Sequence, residues 1–339
     1  MSRLLTSAHM GNLELRNRVV MAPMCMYSCL GQDGIVDSFH QVHYGSRAQG
    51  GVGLVICEAT GVSPEGRISK ECAGLWEDSH IEPYGRVVET IHRGGAKAAI
   101  QLNHAGRKSR ATSRPLGPSP EAFNAQYPQP EKLSPKEIDR IAKDFGAAAG
   151  RAVNAGFDAI EIHGAHGYLI SSFLSPLTNH RPDEYGRDRT LFLEQVLGEV
   201  RKSIPLGMPL LLRISAHDWA EGGNTPELLG AELSRGILDR YGIAAVHVSS
   251  GGVVETSLQP YPGYQIPLAH ELKSILSLPI IGGGLIDSPE MAESILQDRR
   301  ADFIFLARAL LRDPYWVLRA AHQLKFDIPW PTQYERGRF

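Results

Sequence analysis

The chain has 339 residues, of which 42% are hydrophobic and 21% charged, and its formal net charge is -2 at pH 7. This balance is ordinary for a globular enzyme and argues against a dedicated nucleic-acid binder, which normally presents a basic face. No apolar stretch approaches membrane-spanning length, the first residues lack a signal-peptide core, and the four cysteines fit neither a disulfide framework nor zinc-knuckle spacing. We therefore expect a cytoplasmic protein.

Apolar, β-branched runs recur eight times along the chain, and amphipathic segments separate most of them. The eight predicted strands cover residues 19–24, 52–57, 97–102, 157–162, 209–214, 245–249, 279–283 and 302–307. Helix-capping residues open several of the intervening segments, at Ser134, Thr225 and Ser288, each followed by proline. Eight buried strands alternating with helices predict an α/β protein with a single (β/α)8 TIM barrel over residues 1–339. A doubly wound open sheet is the alternative, and the number of strands favours the closed barrel.

Two predicted connections are too long to be simple turns. One follows the third strand and covers residues 103–133, and the other follows the fourth strand and includes residues 175–187. Long connections in compact domains commonly act as lids or binding loops. Because both follow the carboxyl ends of strands, we expect them on the face where barrel enzymes carry out their chemistry.

The fourth predicted strand ends in two histidines and a tyrosine, His163, His166 and Tyr168, which are separated by glycines. Two imidazoles and a phenol on one short turn can hold a carbonyl oxygen or donate a proton. The same histidines, together with His104, could instead ligate zinc in a metal-dependent barrel hydrolase. The neighbouring Gln101 offers an amide where zinc would need a carboxylate or thiolate, so we predict no metal.

The last two predicted strands end in groups suited to a phosphate. Gly283 and Gly284 allow an anion to approach backbone N–H groups, and Arg308, which follows Ala307, can clamp it with paired hydrogen bonds. In barrels of this type the loops after strands seven and eight are the usual phosphate site. The alternative is that the glycines only turn the chain and that Arg308 pairs with a carboxylate.

Polar groups also follow the other strands. Gln101 could pair its amide with a ring lactam or imide, and Arg213 could offset negative charge on such a ring. Cys25 and Tyr27 follow the first strand. A planar heterocycle with a phosphate tail would use these groups together, whereas each taken alone is equally compatible with an ordinary buried role.

Several motifs in order make the chain resemble the Old Yellow Enzyme family of flavin-dependent ene-reductases, in the bacterial subclass close to NADPH dehydrogenases and xenobiotic reductases. The resemblance covers essentially the whole chain. It rests on RVVMAPMCMY at 18–27, QLNHAGR at 101–107, HGAHGY at 163–168, SFLSP at 172–176, NHRPDEYG at 179–186 and QYERG at 333–337.

The resemblance implies a non-covalent FMN on the barrel. The implied flavin-lining residues are Ala22, Pro23, Met24 and Cys25, with Ala59 and Gln101 along the polar edge of the ring and Arg213 near its N1 and C2 carbonyl. The implied phosphate-binding residues are Gly283, Gly284, Ala307 and Arg308. Ala307 stands where relatives often have glycine, and Cys25, which tunes the flavin in this subclass, stands where other members carry threonine.

The resemblance also implies a reaction, in which hydride passes from NADPH, or from NADH, through flavin N5 to the β-carbon of an α,β-unsaturated carbonyl or nitro compound. His163 and His166 would hold the substrate oxygen and Tyr168 would donate a proton to the α-carbon. Tyr27 would add a hydrogen bond or shape the pocket. The expected activity is that of an NAD(P)H dehydrogenase.

Arg336 matches an arginine that reaches the active site of a neighbouring subunit. The resemblance therefore implies a homodimer or homotetramer in which the C-terminal tail, about residues 326–339, contacts the next copy. Other interpretations left open are a different flavin-barrel chemistry, such as dehydrogenation or demethylation, and a non-catalytic flavin-binding redox sensor with Cys25 as its switch.

Overall fold

The structure, a computed structural model, describes residues 2–339, in which eight parallel strands form a closed barrel. The barrel strands are β1 (Val19–Met21), β2 (Leu54–Gly61), β3 (Lys97–Asn103), β4 (Ala159–Gly164), β5 (Leu210–Ser215), β6 (Ile243–Ser249), β7 (Ile280–Gly282) and β8 (Phe303–Leu306). Each strand pairs with the next along the chain, and β8 pairs with β1. The predicted TIM barrel is confirmed.

Strand boundaries differ from those predicted, for local reasons. The first strand ends at Met21 rather than at residue 24. Just beyond it, the Ala22 N–H donates to the carbonyl of Leu306 in β8, 3.0 Å. Pro23 follows and has no N–H to continue the ladder. Strand β2 runs on to Gly61 because its pairing with β3 shifts between Cys57 and Thr60, which carries the strand past its predicted end.

Helices surround the barrel and follow most of the strands. They are α1 (Ser38–Gln49), α2 (Ile81–Arg93), α3 (Pro135–Asn154), α4 (Leu169–Leu174), α5 (Glu184–Arg187), α6 (Leu191–Ser203), α7 (Pro226–Leu233), α8 (Ile237–Arg240), α9 (Ile266–Ile275), α10 (Pro289–Gln297), α11 (Arg308–Arg312) and α12 (Trp316–Gln323). Ser134, Thr225 and Ser288 cap α3, α7 and α10 with their side chains, as their sequence context predicts. None of the helices within residues 2–339 is both long and apolar enough to cross a membrane.

Side chains inside the barrel lie in layers because neighbouring parallel strands point alternate residues inward at matching positions. One apolar layer contains Ala99, Ala159, Leu211 and Ala245. Two residues further along the same strands, the inward positions are polar and buried, and they hold Gln101, Glu161, Arg213 and His247. The barrel interior therefore changes from apolar to polar toward the carboxyl ends of the strands.

A hairpin of two short strands, Ala8–Met10 and Leu13–Leu15, packs against the apolar layers. A Cβ placed on its turn residue Gly11 would lie 3.1 Å from the Cβ of Ala244, near the start of β6. The hairpin thus covers the amino ends of the strands, and the polar layer of the interior lies toward the opposite end of the barrel.

The two long connections pack against each other beside the polar end. The first runs from β3 to α3 and contains the short strands Leu116–Gly117 and Glu131–Lys132, whereas the second contains α4 and α5. Buried Arg181 in the second donates to the carbonyls of Pro118, 3.2 Å, and Leu133, 2.7 Å, in the first. Backbone carbonyls held by a buried guanidinium fix the relative positions of the two connections.

Candidate active site

His163, His166 and Tyr168 form one cluster of rings at the end of β4. The His163 ring centroid lies 5.0 Å from that of His166 and 5.0 Å from that of Tyr168, and the rings meet edge to face. His166 adopts a left-handed backbone with φ 62°, and its N–H donates to the Ser215 Oγ, 2.9 Å. The turn after the strand therefore brings together the three residues that the sequence places in the site.

Hydrogen bonding assigns the proton on His163. Its Nδ1 accepts from the Ala165 N–H, 3.2 Å, and burial lowers its pKa well below the ordinary value, so the ring is neutral. A neutral imidazole whose Nδ1 accepts carries its proton on Nε2. No residue within 2–339 hydrogen-bonds to that Nε2, and His163 can therefore donate to a ligand.

His166 is anchored differently. Its Nε2 lies 2.7 Å from the Ser249 Oγ, which also receives a hydrogen bond from the Gln265 Nε2, 3.3 Å. Burial lowers the pKa of His166 well below its usual value, so this ring is neutral as well. Ser249 and Gln265, which sequence reasoning did not single out, hold the ring in place from β6 and α9.

Tyr168 is the phenol of the cluster and stands at the start of α4. Burial raises its pKa well above the ordinary value, so it stays protonated. The Lys108 ammonium lies 5.4 Å from the Tyr168 ring centroid and donates to the carbonyls of His166, 2.9 Å, and Gly252, 3.0 Å. Burial lowers the pKa of Lys108 to about 8. This lysine lies in the first long connection, residues 103–133, and nothing in the sequence indicates its contact with the site.

The polar layer below the cluster contains two groups that sequence reasoning also missed, Glu161 and His247. The Gln101 Nε2 donates to the Glu161 Oε1, 2.8 Å, and the His247 Nδ1 lies 2.7 Å from the Glu161 Oε2. Both missed residues interrupt apolar strands at inward positions. That interruption was a readable signal, because an ionisable group within a buried strand requires a partner.

Arg213 is 6% exposed, and its Nε has no hydrogen-bond partner among residues 2–339. Burial lowers its pKa, but an arginine remains protonated in proteins. A buried guanidinium without a partner is costly unless a ligand supplies acceptors. The electron-rich edge of a flavin ring supplies such acceptors, so this residue fits the implied FMN.

A cavity of about 410 Å³ is lined by His166, Arg213, Gly284, Ala307 and Arg308. Four residues lie at the glycine-rich rim of this cavity. Within residues 2–339 their backbone N–H groups have no backbone acceptor, and they are Gly283, Gly284, Ala307 and Arg308. Free N–H groups beside an arginine fit a phosphate.

The two glycines and the alanine of this rim differ in backbone conformation and in the space available for a Cβ. A Cβ on Gly283 would lie 2.6 Å from the Phe305 carbonyl oxygen, and Gly284 has φ +98°. Ala307 has φ -117°, so the alanine at this position carries no left-handed strain. The structure thus requires glycine at Gly283 and Gly284 and accommodates alanine at Ala307.

The segment after β1 lies beside this mouth of the barrel. Ala22 is buried, whereas Pro23, Met24 and Cys25 are partly exposed. The neighbouring Cys72 thiol, together with burial, raises the pKa of Cys25 well above its ordinary value. Cys25 is therefore a protonated thiol, and its contact with Cys72 is one that the spacing of the cysteines did not reveal.

Three remaining predicted residues occupy different surroundings. Ala59 is buried in β2, and Tyr27 is 49% exposed with a left-handed backbone at φ 52°. Arg336 is exposed in the C-terminal tail and does not line the 410 Å³ cavity. Within residues 2–339, no three His, Cys, Asp or Glu side chains are grouped so that they could hold a metal ion.

Comparisons with known proteins agree with this geometry. Residues 4–327 match the NADH:flavin oxidoreductase / NADH oxidase family. The chain is similar to the NADPH dehydrogenase of Clostridium acetobutylicum, with 47% identity over 333 residues that cover 96% of each chain.

Two solved structures extend the likeness. Morphinone reductase superposes with a TM-score of 0.81 and 28% identity, covering 97% of this chain and 91% of that chain. A 2-naphthoyl-CoA reductase superposes with a TM-score of 0.89 and 25% identity, covering 96% of this chain and 52% of that chain, so this chain spans about half of the larger reductase.

Gly167 sets the position of the ring cluster, and its replacement by alanine should disturb the cluster. Its φ is +72°, and a Cβ there would lie 2.1 Å from the Gly252 carbonyl oxygen. Gly236 is the matched control, because its φ is +90° and a Cβ there meets nothing within 4 Å. We expect G236A to lose about 1–2 kcal/mol of unfolding free energy in urea, from left-handed strain alone, and G167A to lose clearly more. Equal losses in the two variants would show that the contact with Gly252 does not matter.

Proposed function

The chain belongs to the NADH:flavin oxidoreductase / NADH oxidase family, and on that basis we propose that it is an FMN-dependent ene-reductase. It transfers hydride from NADPH to the β-carbon of an α,β-unsaturated carbonyl or nitro compound. The observation that carries this proposal is the unpaired Nε2–H of neutral His163 beside the protonated phenol of Tyr168, near buried Arg213, whose Nε has no partner among the described residues.

FMN would be held by groups that are left without partners. Free backbone N–H groups at Gly283, Gly284 and Ala307, with the guanidinium of Arg308, bind the phosphate. Arg213 donates to the polar edge of the ring, and Gln101 keeps its Oε1 available as an acceptor there. When bound, FMN supplies the hydride-transfer chemistry between the nicotinamide and the alkene.

The protein contributes polarisation and a proton. His163 donates its Nε2–H to the carbonyl or nitro oxygen, which draws negative charge away from the β-carbon in the transition state. His166 provides the second contact with that oxygen. Tyr168 donates its phenolic proton to the α-carbon, and the raised pKa keeps that proton in place at neutral pH. Tyr27 and Met24 shape the entrance above these groups.

The other candidate functions have less support. A metal-dependent hydrolase would require a third ligand beside the two histidines, and the described residues offer no such group. A redox sensor based on Cys25 requires a reactive thiolate, whereas the neighbouring Cys72 and burial raise the pKa of the Cys25 thiol. The enzyme assignment rests on the family and on the donors of the ring cluster.

The proposal is tested by following the flavin absorbance of the protein under anaerobic conditions. We expect the wild type to take up FMN, to lose its yellow colour with NADPH, and to regain it with 2-cyclohexenone. In Tyr168→Phe, bleaching by NADPH should be unchanged because no proton from Tyr168 is needed, whereas recolouring should slow by about a hundredfold.

The two half-reactions separate the possible failures. A wild-type protein that takes up no FMN would overturn the assignment altogether. Recolouring of Tyr168→Phe at the wild-type rate would leave the reductase assignment intact and place the proton donor elsewhere.

His163→Ala should weaken the binding of phenolic ligands, which place an oxygen where the substrate oxygen lies, and should slow enone reduction by about 100- to 1,000-fold. FMN content should stay near that of the wild type, because His163 is not among the phosphate or ring-edge contacts. His180→Ala is the matched control, since His180 is exposed and pairs with Glu121, 2.8 Å. Wild-type enone kinetics in His163→Ala would remove this residue from the reaction.

We also propose that the chain forms a homodimer or homotetramer, in which Arg336 from the C-terminal tail completes the site of a neighbouring copy. The tail supports this proposal because it exposes Tyr334 at 40% and Phe339 at 65%, surfaces that suit a protein contact. Arg338, which pairs with Asp327 of its own chain, serves as the control position.

Light scattering of the wild type should give the mass of a dimer or larger assembly. Mixing inactive His163→Ala subunits with Arg336→Ala subunits should restore enone reduction, because one site of each mixed dimer regains both residues. Arg338→Ala should retain activity without mixing. A monomeric wild type, or mixtures without recovery, would refute the shared site.

A further inference from the structure

Glu161 is a carboxylate buried in the polar layer of the barrel, directly below the ring cluster. It is 0% exposed, lies in the middle of β4 and points into the barrel. Two residues before it stands Ala159 and two residues after it stands His163, and both face the same side of the strand. The protein therefore places a charged group inside the barrel, one position below a proposed catalytic histidine.

Both carboxylate oxygens of Glu161 have donors. The Gln101 Nε2 donates to Oε1, 2.8 Å, and the His247 Nδ1 lies 2.7 Å from Oε2. Burial lowers the pKa of His247, so that ring is neutral and donates its single N–H to the carboxylate. The carboxylate accepts one hydrogen bond at each oxygen, which suits these two donors. The bond from Gln101 also fixes its amide with the NH2 group toward Glu161. The second N–H and the Oε1 of Gln101 remain available to a ligand.

The positive charge nearest to this carboxylate within the layer belongs to Arg213. The strand register places Arg213 beside both His163 and His247, and the attraction of Glu161 raises the pKa of Arg213 against the effect of burial. Among the charged neighbours that raise the pKa of Arg213, Glu161 has the largest effect. Charges act strongly on each other in such a water-poor interior. The net charge that a bound ring meets here is therefore that of the pair and not of Arg213 alone.

We propose that Glu161 is a positioning residue that sets the reduction potential of bound FMN by offsetting the positive charge of Arg213, and that it supports FMN binding by orienting the amide of Gln101. This inference rests on the proposed function, since it requires FMN at the mouth of the barrel. Arg213 alone would favour the more negative reduced flavin. Glu161 opposes that effect, so it lowers the reduction potential and keeps the reduced cofactor a stronger hydride donor.

The test is the reduction potential of protein-bound FMN, measured anaerobically by equilibrium with a reference dye, together with the Kd of oxidised FMN from fluorescence quenching. In Glu161→Gln the side chain keeps its shape and loses its charge. We expect the ratio of the affinities for reduced and oxidised FMN to rise at least tenfold, which corresponds to an upward shift of about 30 mV for a two-electron couple.

Two further variants separate charge from shape. Glu161→Asp keeps the charge but is too short to hold both donors, so its FMN should bind less tightly at a nearly unchanged potential. Asp218→Asn removes a different buried carboxylate, which accepts from Ser175, 2.7 Å, and from the Asn224 N–H, 2.8 Å, and its potential should match the wild type.

Three outcomes contradict the inference. The first is a Glu161→Gln potential equal to or below that of the wild type, and the second is a Glu161→Asp potential that rises as well. The third is a rise of equal size in Asp218→Asn. If Glu161→Gln does not fold, a Glu161→Asp potential above that of the wild type still contradicts the inference. A wild type that takes up no FMN would instead count against the proposed function, because no potential could then be measured.

Discussion

Closure of a parallel sheet is the constraint on which the site depends. Because all eight strands run in the same direction, their carboxyl ends meet at one rim, and matching inward positions form layers across the interior. Small residues such as Ala99, Ala159 and Ala245 fill the apolar layer and leave room above it. The polar layer and the ring cluster occupy that room, although their residues come from strands far apart in the sequence.

A second consequence of this arrangement is that several polar groups at this end of the barrel are without hydrogen-bond partners in the described part of the protein itself. Among residues 2–339, the Nε of Arg213, the Nε2 of His247 and the backbone N–H groups at the glycine-rich rim have no hydrogen-bond partner. Each such group costs free energy in the absence of a ligand, and each gains a partner when a suitable one binds. Cofactor binding and folding stability are therefore linked, since a ligand that binds only the folded state stabilises it.

The sequence predicted the barrel because eight apolar runs separated by capped helices admit few other arrangements. It also identified His163, His166, Tyr168, Arg213 and Arg308, because polar residues at strand ends are conspicuous. It failed where the signal was a contact between distant segments. Nothing in the spacing of Cys25 and Cys72, or of Lys108 and Tyr168, indicates that they meet, because the connections that bring them together have no periodic pattern. Glu161 and His247 were visible as polar interruptions, but their pairing depends on a strand register that only closure defines.

The hairpin formed by Ala8–Met10 and Leu13–Leu15 determines how molecules enter and leave. It covers the amino end of the barrel, and packed apolar layers lie behind it. Under the proposed function, reductant and acceptor both approach the flavin from the carboxyl end of the barrel, and we expect them to use the same site in turn. Such alternation would give a double-displacement rate law, with parallel lines in reciprocal plots and each reactant inhibiting when present in excess.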